Sequence, residues 1–346
     1  MAISIYAEIT GIKYTPLLCR ELREYEINQL DNAFKDSAFL LNIDEKNKLA
    51  VSWWVSPKRT RSYPYARVYD TLAFTGKKVT VIPIFKDEGL DGDRDFLQWD
   101  TVSLMSLLGI YTIISYYSDA EKNPRFENKI TNQRFNLPLI KQKLKELISY
   151  QSDALHWNLE QLHRVGKIAE KALEAYDEIS ERLNVKMHSR ESALKRIERL
   201  KKGAEEFKTL SRELAKQAQK REAMTVQPKE ETIGIKGKIT IKNYLGGYYY
   251  FTIDEIKLVG RDLYIYESKH SKTQPLPSLE DIKDGLLRMV LYTNLKNVKI
   301  NGWRVNPIPI LKLTTSKDRQ LSKKHEETLT LLKKEAEINM FRVSYE

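Results

Sequence analysis

The sequence predicts an α/β fold in three parts: an N-terminal α/β domain over residues 1–136, a long antiparallel helical hairpin over 137–226, and a C-terminal mixed sheet flanked by helices over 227–346. Three observations carry that expectation. Short β-like and helix-spaced stretches alternate as far as about Asn136. Gly and Pro then almost vanish from Leu137 to Ala223 while apolar residues fall into heptads. Past a linker containing Pro228, three strand-like runs are followed by a helix-like run and further β structure.

In the first part, Lys78 to Phe85 is rich in β-branched residues, Phe96 to Leu108 has helical spacing, and Tyr111 to Tyr117 returns to β-branched and aromatic residues. In the second, Leu162, Val165, Ala169, Ala172, Tyr176, Ile179 and Leu183 follow a 3-4 spacing. Ile197, Leu200, Ala204, Phe207, Leu214 and Ala218 repeat it, with Ser211 at the remaining position. Asn184 to Ser189 interrupts the two runs and Ser189 is a suitable N-cap, so the segment reads as a hairpin whose first helix would extend about 33 Å. It serves as an intramolecular arm or as a dimerisation element. In the third part, Ile233–Ile241, Tyr248–Leu258 and Leu263–Ser268 read as strands, and Ser278–Leu295 as a helix. Val298–Leu313 reads as more β structure and Asp318–Ile338 as a closing amphipathic helix.

The chain has 346 residues, 41% hydrophobic and 10% aromatic, enough to bury a core and to exclude a wholly disordered protein. Lys and Arg outnumber Asp and Glu by 58 to 47, a net charge of +11 that favours polyanionic partners, nucleic acid first among them. The single cysteine, Cys19, forms no intramolecular disulfide, and with no secretory signal at the N-terminus the expected setting is cytoplasmic. The most apolar run, Val102 to Tyr117, falls short of the roughly 18 residues needed to span a bilayer, so no membrane role is expected. No Gly-rich phosphate loop is present, which excludes ATP-driven action through that motif.

The chemistry concentrates in Tyr248 to Lys269. Gly260-Arg261 suits a two-residue hairpin turn with Gly first. From that turn, Val259 faces Asp262 and, further down the ladder, Asp254 faces Glu267; Lys269 shares the face of Glu267, and Glu255 points to the other. Opposed carboxylates repel unless a cation lies between them. A hard divalent ion such as Mg²⁺ suits one or two carboxylates with water and phosphate completing the shell, and Lys269 would stand beside the water and a phosphate oxygen. Glu127-x-Lys129, Glu206-x-Lys208 and Glu255-x-Lys257 share the tripeptide spacing, but only Glu267 ends an aromatic, β-branched strand with an acidic partner opposite.

Asp254, Glu267, Ser268 and Lys269, followed by a helix and another strand, resemble the PD-(D/E)xK nuclease superfamily over roughly Ile233 to Leu313. The resemblance implies a restriction-endonuclease-like C-terminal sheet in which Asp254 and Glu267 ligate Mg²⁺, the Ser268 carbonyl adds a ligand, and Lys269 serves the attacking water. Mn²⁺ would substitute. The chain departs from the pattern at Ile253, where many members carry Pro.

Nucleic-acid contacts are expected from Lys58, Arg59, Arg61, Tyr63, Tyr65 and Arg67, where cations alternate with stacking rings, and from Lys272 and Arg288 near the tripeptide. Asp87, Glu88, Asp91, Asp93 and Asp95 lack calcium-loop spacing, because Phe96 and Val102 occupy the positions that require Gly and Glu. Asp70 and Lys86 fall in the order of a second nuclease core, but Ile84 stands where its carboxylate would be. The expected function is a Mg²⁺-dependent endodeoxyribonuclease, most like a type II restriction endonuclease, acting as a homodimer on double-stranded DNA. The alternatives are a catalytically inactive DNA-binding module and a coiled-coil scaffold.

Overall fold

The computed structural model describes residues 3–54, 67–203, 205–213, 216, 235–316 and 320–346. The protein is a mixed α/β fold of two compact units, and the chain passes between them instead of filling them in succession. One unit comprises residues 1–21, 60–73 and 212–346; the other comprises 22–59 and 74–211.

The strands of the second unit are β2 (Glu24–Glu26) to β10 (Ile130–Phe135), whereas β1 (Ile3–Ile9) belongs to the first. A five-stranded sheet runs in the order β2, β3 (Ala38–Asn42), β4 (Lys48–Trp53), β5 (Lys78–Pro83), β8 (Ile110–Ser115). β4, β5 and β8 are parallel, and every residue of β8 is buried, as expected for a parallel strand covered on both faces. Two short ribbons, β6 (Phe85–Asp87) with β7 (Arg94–Phe96) and β9 (Tyr117–Lys122) with β10, complete the strands.

The helical segment forms part of this unit. Its helices span Leu137–Ser149, Ala154–Leu162, Val165–Leu183 and Arg190–Lys201. Trp157 Nε1 donates to the Thr112 carbonyl at 2.8 Å, and the Asn158 side chain bonds both Thr112 N–H and the Ile110 carbonyl. The heptad residues Val165, Ala169, Ala172, Tyr176 and Ile179 are buried within the unit, which is the intramolecular one of the two roles expected for this seam. Ser189 caps the Arg190–Lys201 helix through Ser192 N–H, and Asn184 ends the preceding one at φ 48°. The second heptad run, expected to be continuous, breaks at Gly203, whose φ of 112° no helix accommodates.

The acidic loop is also structural. Asp87 bonds His188 Nδ1 at 2.7 Å and Gly89 N–H at 2.9 Å, Glu88 pairs with Lys86 and Lys129, and Asp91 accepts from Asn128 N–H.

The first unit is built on an eight-stranded sheet, ordered β15 (Trp303–Arg304), β14 (Lys296–Ile300), β1, β11 (Ile235–Asn243), β12 (Tyr248–Val259), β13 (Asp262–Ser271), β16 (Asn306–Thr315), β17 (Arg342–Tyr345). The Ile3–Ile9 strand, expected in an N-terminal domain, lies inside this sheet, parallel to β11 and antiparallel to β14. Its inner residues Ile5, Ala7 and Ile9 are buried. Long-range pairing of this kind leaves no local signal. The Leu279–Tyr292 helix, capped by Ser278 through Asp281 N–H, covers the inner face beside β13 and β16.

Two buried polar clasps hold residues 14–20 and 67–73 to the helices of this unit. Glu335, on the Lys323–Asn339 helix, accepts from the Tyr14 hydroxyl at 2.6 Å, from the Tyr69 hydroxyl at 2.7 Å, and from Leu17 and Leu18 N–H. Lys283, fully buried on the Leu279–Tyr292 helix, pairs with Asp70 at 2.6 Å, and Arg20 takes the other Asp70 oxygen at 3.1 Å. Asp70 is therefore engaged with Lys283 and Arg20 in this unit, and Lys86 is paired with Glu88 in the other. Truncating one partner of a buried pair leaves the other charge uncompensated. Asp70→Ala is accordingly expected to cost about 3–5 kcal/mol in urea-induced unfolding, and an Asp70→Leu, Lys283→Met double variant to cost clearly less.

Candidate active site

The hairpin that carries the site follows from its turn. Gly260 has φ 61° and Arg261 no positive φ, the combination of a type II′ turn. From it the ladder runs through Val259 opposite Asp262, Leu258 opposite Leu263 and Ile256 opposite Ile265 to its last pair, Glu255 opposite Tyr266. Leu263, Ile265, Glu267 and Lys269 thus share the inner face of β13, beneath the Leu279–Tyr292 helix.

The expected pairing of Asp254 with Glu267 is modified by a β-bulge. On its other edge β12 pairs Ile253 with Gly237 and Ile256 with Ile235, so three steps along β12 match two along β11. The buried positions change parity across that point, from Tyr249, Phe251 and Ile253 to Ile256. Asp254 stands at the extra residue, and its Oδ2 accepts from Ser268 N–H at 2.8 Å. A bulge re-aims a side chain without breaking the strand. Both carboxylates act on a common neighbour: Tyr292, buried on the covering helix, has its pKa raised by desolvation first, and the charges of Glu267 and Asp254 add to that rise while Arg288 opposes it.

Glu267 is only 6% exposed and accepts from Lys269 Nζ at 2.9 Å. Desolvation by burial works to lower the Lys269 pKa, but the charge and hydrogen bond of Glu267, aided by Asp284, outweigh it and hold the value above the ordinary lysine range. Lys269 is therefore a cation at neutral pH. Gly285 gives this side chain its space: a Cβ there would stand 2.6 Å from Leu311 Cδ1 and 3.3 Å from Lys269 Cε.

Sequence reasoning singled out Arg288 but not Asp284 and Tyr292, which share its helix face at i−4 and i+4. The spacing was the available signal. Arg288 lies over the Phe251 ring at 3.8 Å and bears electrostatically on both Lys269 and Tyr292. Lys272 is exposed just past β13, and Arg67 is helical, as are residues 68 and 69. Lys58, Arg59, Arg61, Tyr63 and Tyr65 lie outside the described residues. Glu255 faces the opposite side of the sheet, where its charge bears on Tyr266 and Lys312. Glu206 bonds Arg199 at 2.7 Å.

Among the described residues no group of three or more His, Cys, Asp or Glu side chains gathers as a metal cluster. The site offers a carboxylate pair and the Ser268 carbonyl, and a donor set of that size fits Mg²⁺, which commonly takes one or two protein carboxylates and keeps several waters. No family model, curated protein or solved structure matches the chain.

The raised Lys269 pKa fixes the sign of a pH effect. Its link to Glu267 contributes fully below the unfolded value of about 10.4 and is lost as pH rises through the higher folded value. The stability difference between wild type and Lys269→Met is therefore expected to be constant from pH 6 to 9 and to shrink only above about pH 10.4, read by urea unfolding at each pH.

Proposed function

We propose that the protein is a metal-dependent endodeoxyribonuclease, with Asp254, Glu267 and Lys269 as its catalytic residues, most like a type II restriction endonuclease. The observation that carries this reading is the placement of two acids and an amine under one helix: Ser268 N–H fixes Asp254, Lys269 is locked on Glu267, and Tyr292 feels both carboxylates. Three antiparallel strands, β11 to β13, followed by the Leu279–Tyr292 helix and, after the β14–β15 hairpin, by β16 parallel to β13, support the same resemblance. The positive net charge favours a polyanionic substrate.

Asp254 and Glu267, with the Ser268 carbonyl, would hold Mg²⁺, or Mn²⁺ in its place. When bound, the ion polarises the scissile phosphate and activates the attacking water. Lys269, cationic at neutral pH, orients that water and balances the negative charge that develops on the phosphoryl oxygens. Arg288, over the Phe251 ring and bearing electrostatically on Lys269, would take a non-bridging phosphate oxygen. The phosphorus–oxygen bond to the leaving sugar breaks as the water oxygen attacks in line.

A homodimer would supply one site to each strand of a duplex, through a surface other than the covered heptad seam. Among the described residues no helix is long and apolar enough to cross a membrane, and the proposed setting is the cytoplasm, where DNA is available.

The purified chain incubated with supercoiled and linear DNA and Mg²⁺ or Mn²⁺ is expected to cut. Glu267→Ala and Lys269→Ala are expected to lose about a hundredfold or more of that activity while retaining wild-type circular dichroism. Equal cutting by all three proteins would place the chemistry elsewhere. Binding with a steep salt dependence but no cutting by wild type under either metal would leave an inert DNA-binding module.

A further inference from the structure

At the edge of the eight-stranded sheet, β14 and β15 form a hairpin closed by Asn301-Gly302. Asn301 has φ 50° and Gly302 φ 86°, the two positive values of a type I′ turn, the tightest connection between two strands. Beside that turn Trp303 is 80% exposed. Scattered surface Leu or Val side chains need no explanation, but a nearly bare indole on a rigid tip is a large apolar face held in water. The next cross-strand pair sets Lys299 directly opposite Arg304. Like charges in that position destabilise a hairpin, and a bound anion removes the repulsion.

The register fixes where this tip stands relative to the carboxylates. Trp303 faces Ile300, Ile300 faces Ile5, Ile5 faces Ile239, and Ile239 faces Phe251. Directly opposed residues share a sheet face, so the indole projects from the face that carries Phe251, Glu267 and the covering helix. The turn lies past Ile300, toward the level along the strands of Ile3, Gly237 and Ile253, the level at which the Asp254 bulge begins. Four interstrand steps separate β15 from β12, on the order of 19 Å, or about five to six nucleotide steps of a stacked strand.

We propose that the β14–β15 hairpin is a nucleic-acid contact in which Trp303 stacks on an unpaired base from one face of the sheet edge while Lys299 and Arg304, which project from the other face of the same edge, neutralise phosphates of the strand as it passes around it. This deepens the nuclease reading and rests on it for the identity of the polyanion: the hairpin would hold the strand whose scissile phosphate is presented at the Asp254–Glu267 site. The unpaired base comes either from a single strand or from a distorted duplex, and the two sources are separable.

The test is fluorescence anisotropy in EDTA with labelled single-stranded DNA, fully paired duplex, and duplex carrying a central mismatch bubble. Trp303→Ala is expected to raise Kd about 5- to 100-fold for DNA with unpaired bases, and Trp303→Phe to retain most of the affinity. A loss confined to the single strand, or shared with the bubble, identifies the source of the base. Lys299→Ala with Arg304→Ala is expected to make the slope of log K against log salt shallower by about one to two. Equal affinity of wild type and Trp303→Ala for all three DNAs overturns the inference, as does a Trp303-dependent response to anionic lipid vesicles with none to DNA. Parallel Mg²⁺ cleavage assays keep the two claims apart. Cutting by wild type with Trp303→Ala affinity unchanged overturns the hairpin contact alone, whereas Trp303-dependent binding without any cutting overturns the nuclease reading and leaves the contact standing.

Discussion

One backbone irregularity sets the position of the candidate site. Had β12 continued as a regular strand beyond Ile253, its buried row would have stayed on odd positions and Asp254 would have pointed away from the face that carries Glu267. The extra residue at the bulge turns it back, and Ser268 N–H holds the carboxylate where it lands. The remaining geometry follows: Lys269 compensates Glu267 in a desolvated setting, Gly285 lets the helix approach the lysine stem, and the helix brings Asp284, Arg288 and Tyr292 over the same patch.

The hairpin was legible in the sequence because its information is local. Gly260 at the first turn position requires a particular backbone, and that backbone sets the register of the pairs beside it. The same holds for Ser278 and Ser189, whose hydroxyls cap helices three residues before the N–H groups they accept from. What stayed hidden is non-local. Nothing in Ile3–Ile9 reveals that its partners lie more than two hundred residues away in β11 and β14, and nothing in Asp70 reveals Lys283. The bulge was invisible for a related reason: it arises from the mismatch between β11 and β12, and each sequence taken alone reads as an ordinary strand.

The heptad pattern illustrates how one periodicity serves different ends. Apolar residues every three or four positions demand a covered stripe but do not say what covers it. In this chain the stripe is covered by strands and a neighbouring helix of its own unit, with the Tyr176 hydroxyl bonded to Asp87 N–H and to Gln133. The charged exterior of those helices is then a solvated surface.

The proposed reaction requires Asp254 and Glu267 to act on one ion. Anomalous diffraction from crystals of the full chain equilibrated with Mn²⁺ measures this directly. A single strong peak is expected beneath the Leu279–Tyr292 helix, about 2.1 Å from one carboxylate oxygen of each residue, and is expected to vanish in Glu267→Ala. A saturated crystal with manganese bound only elsewhere, or with no peak between those two side chains, would contradict it.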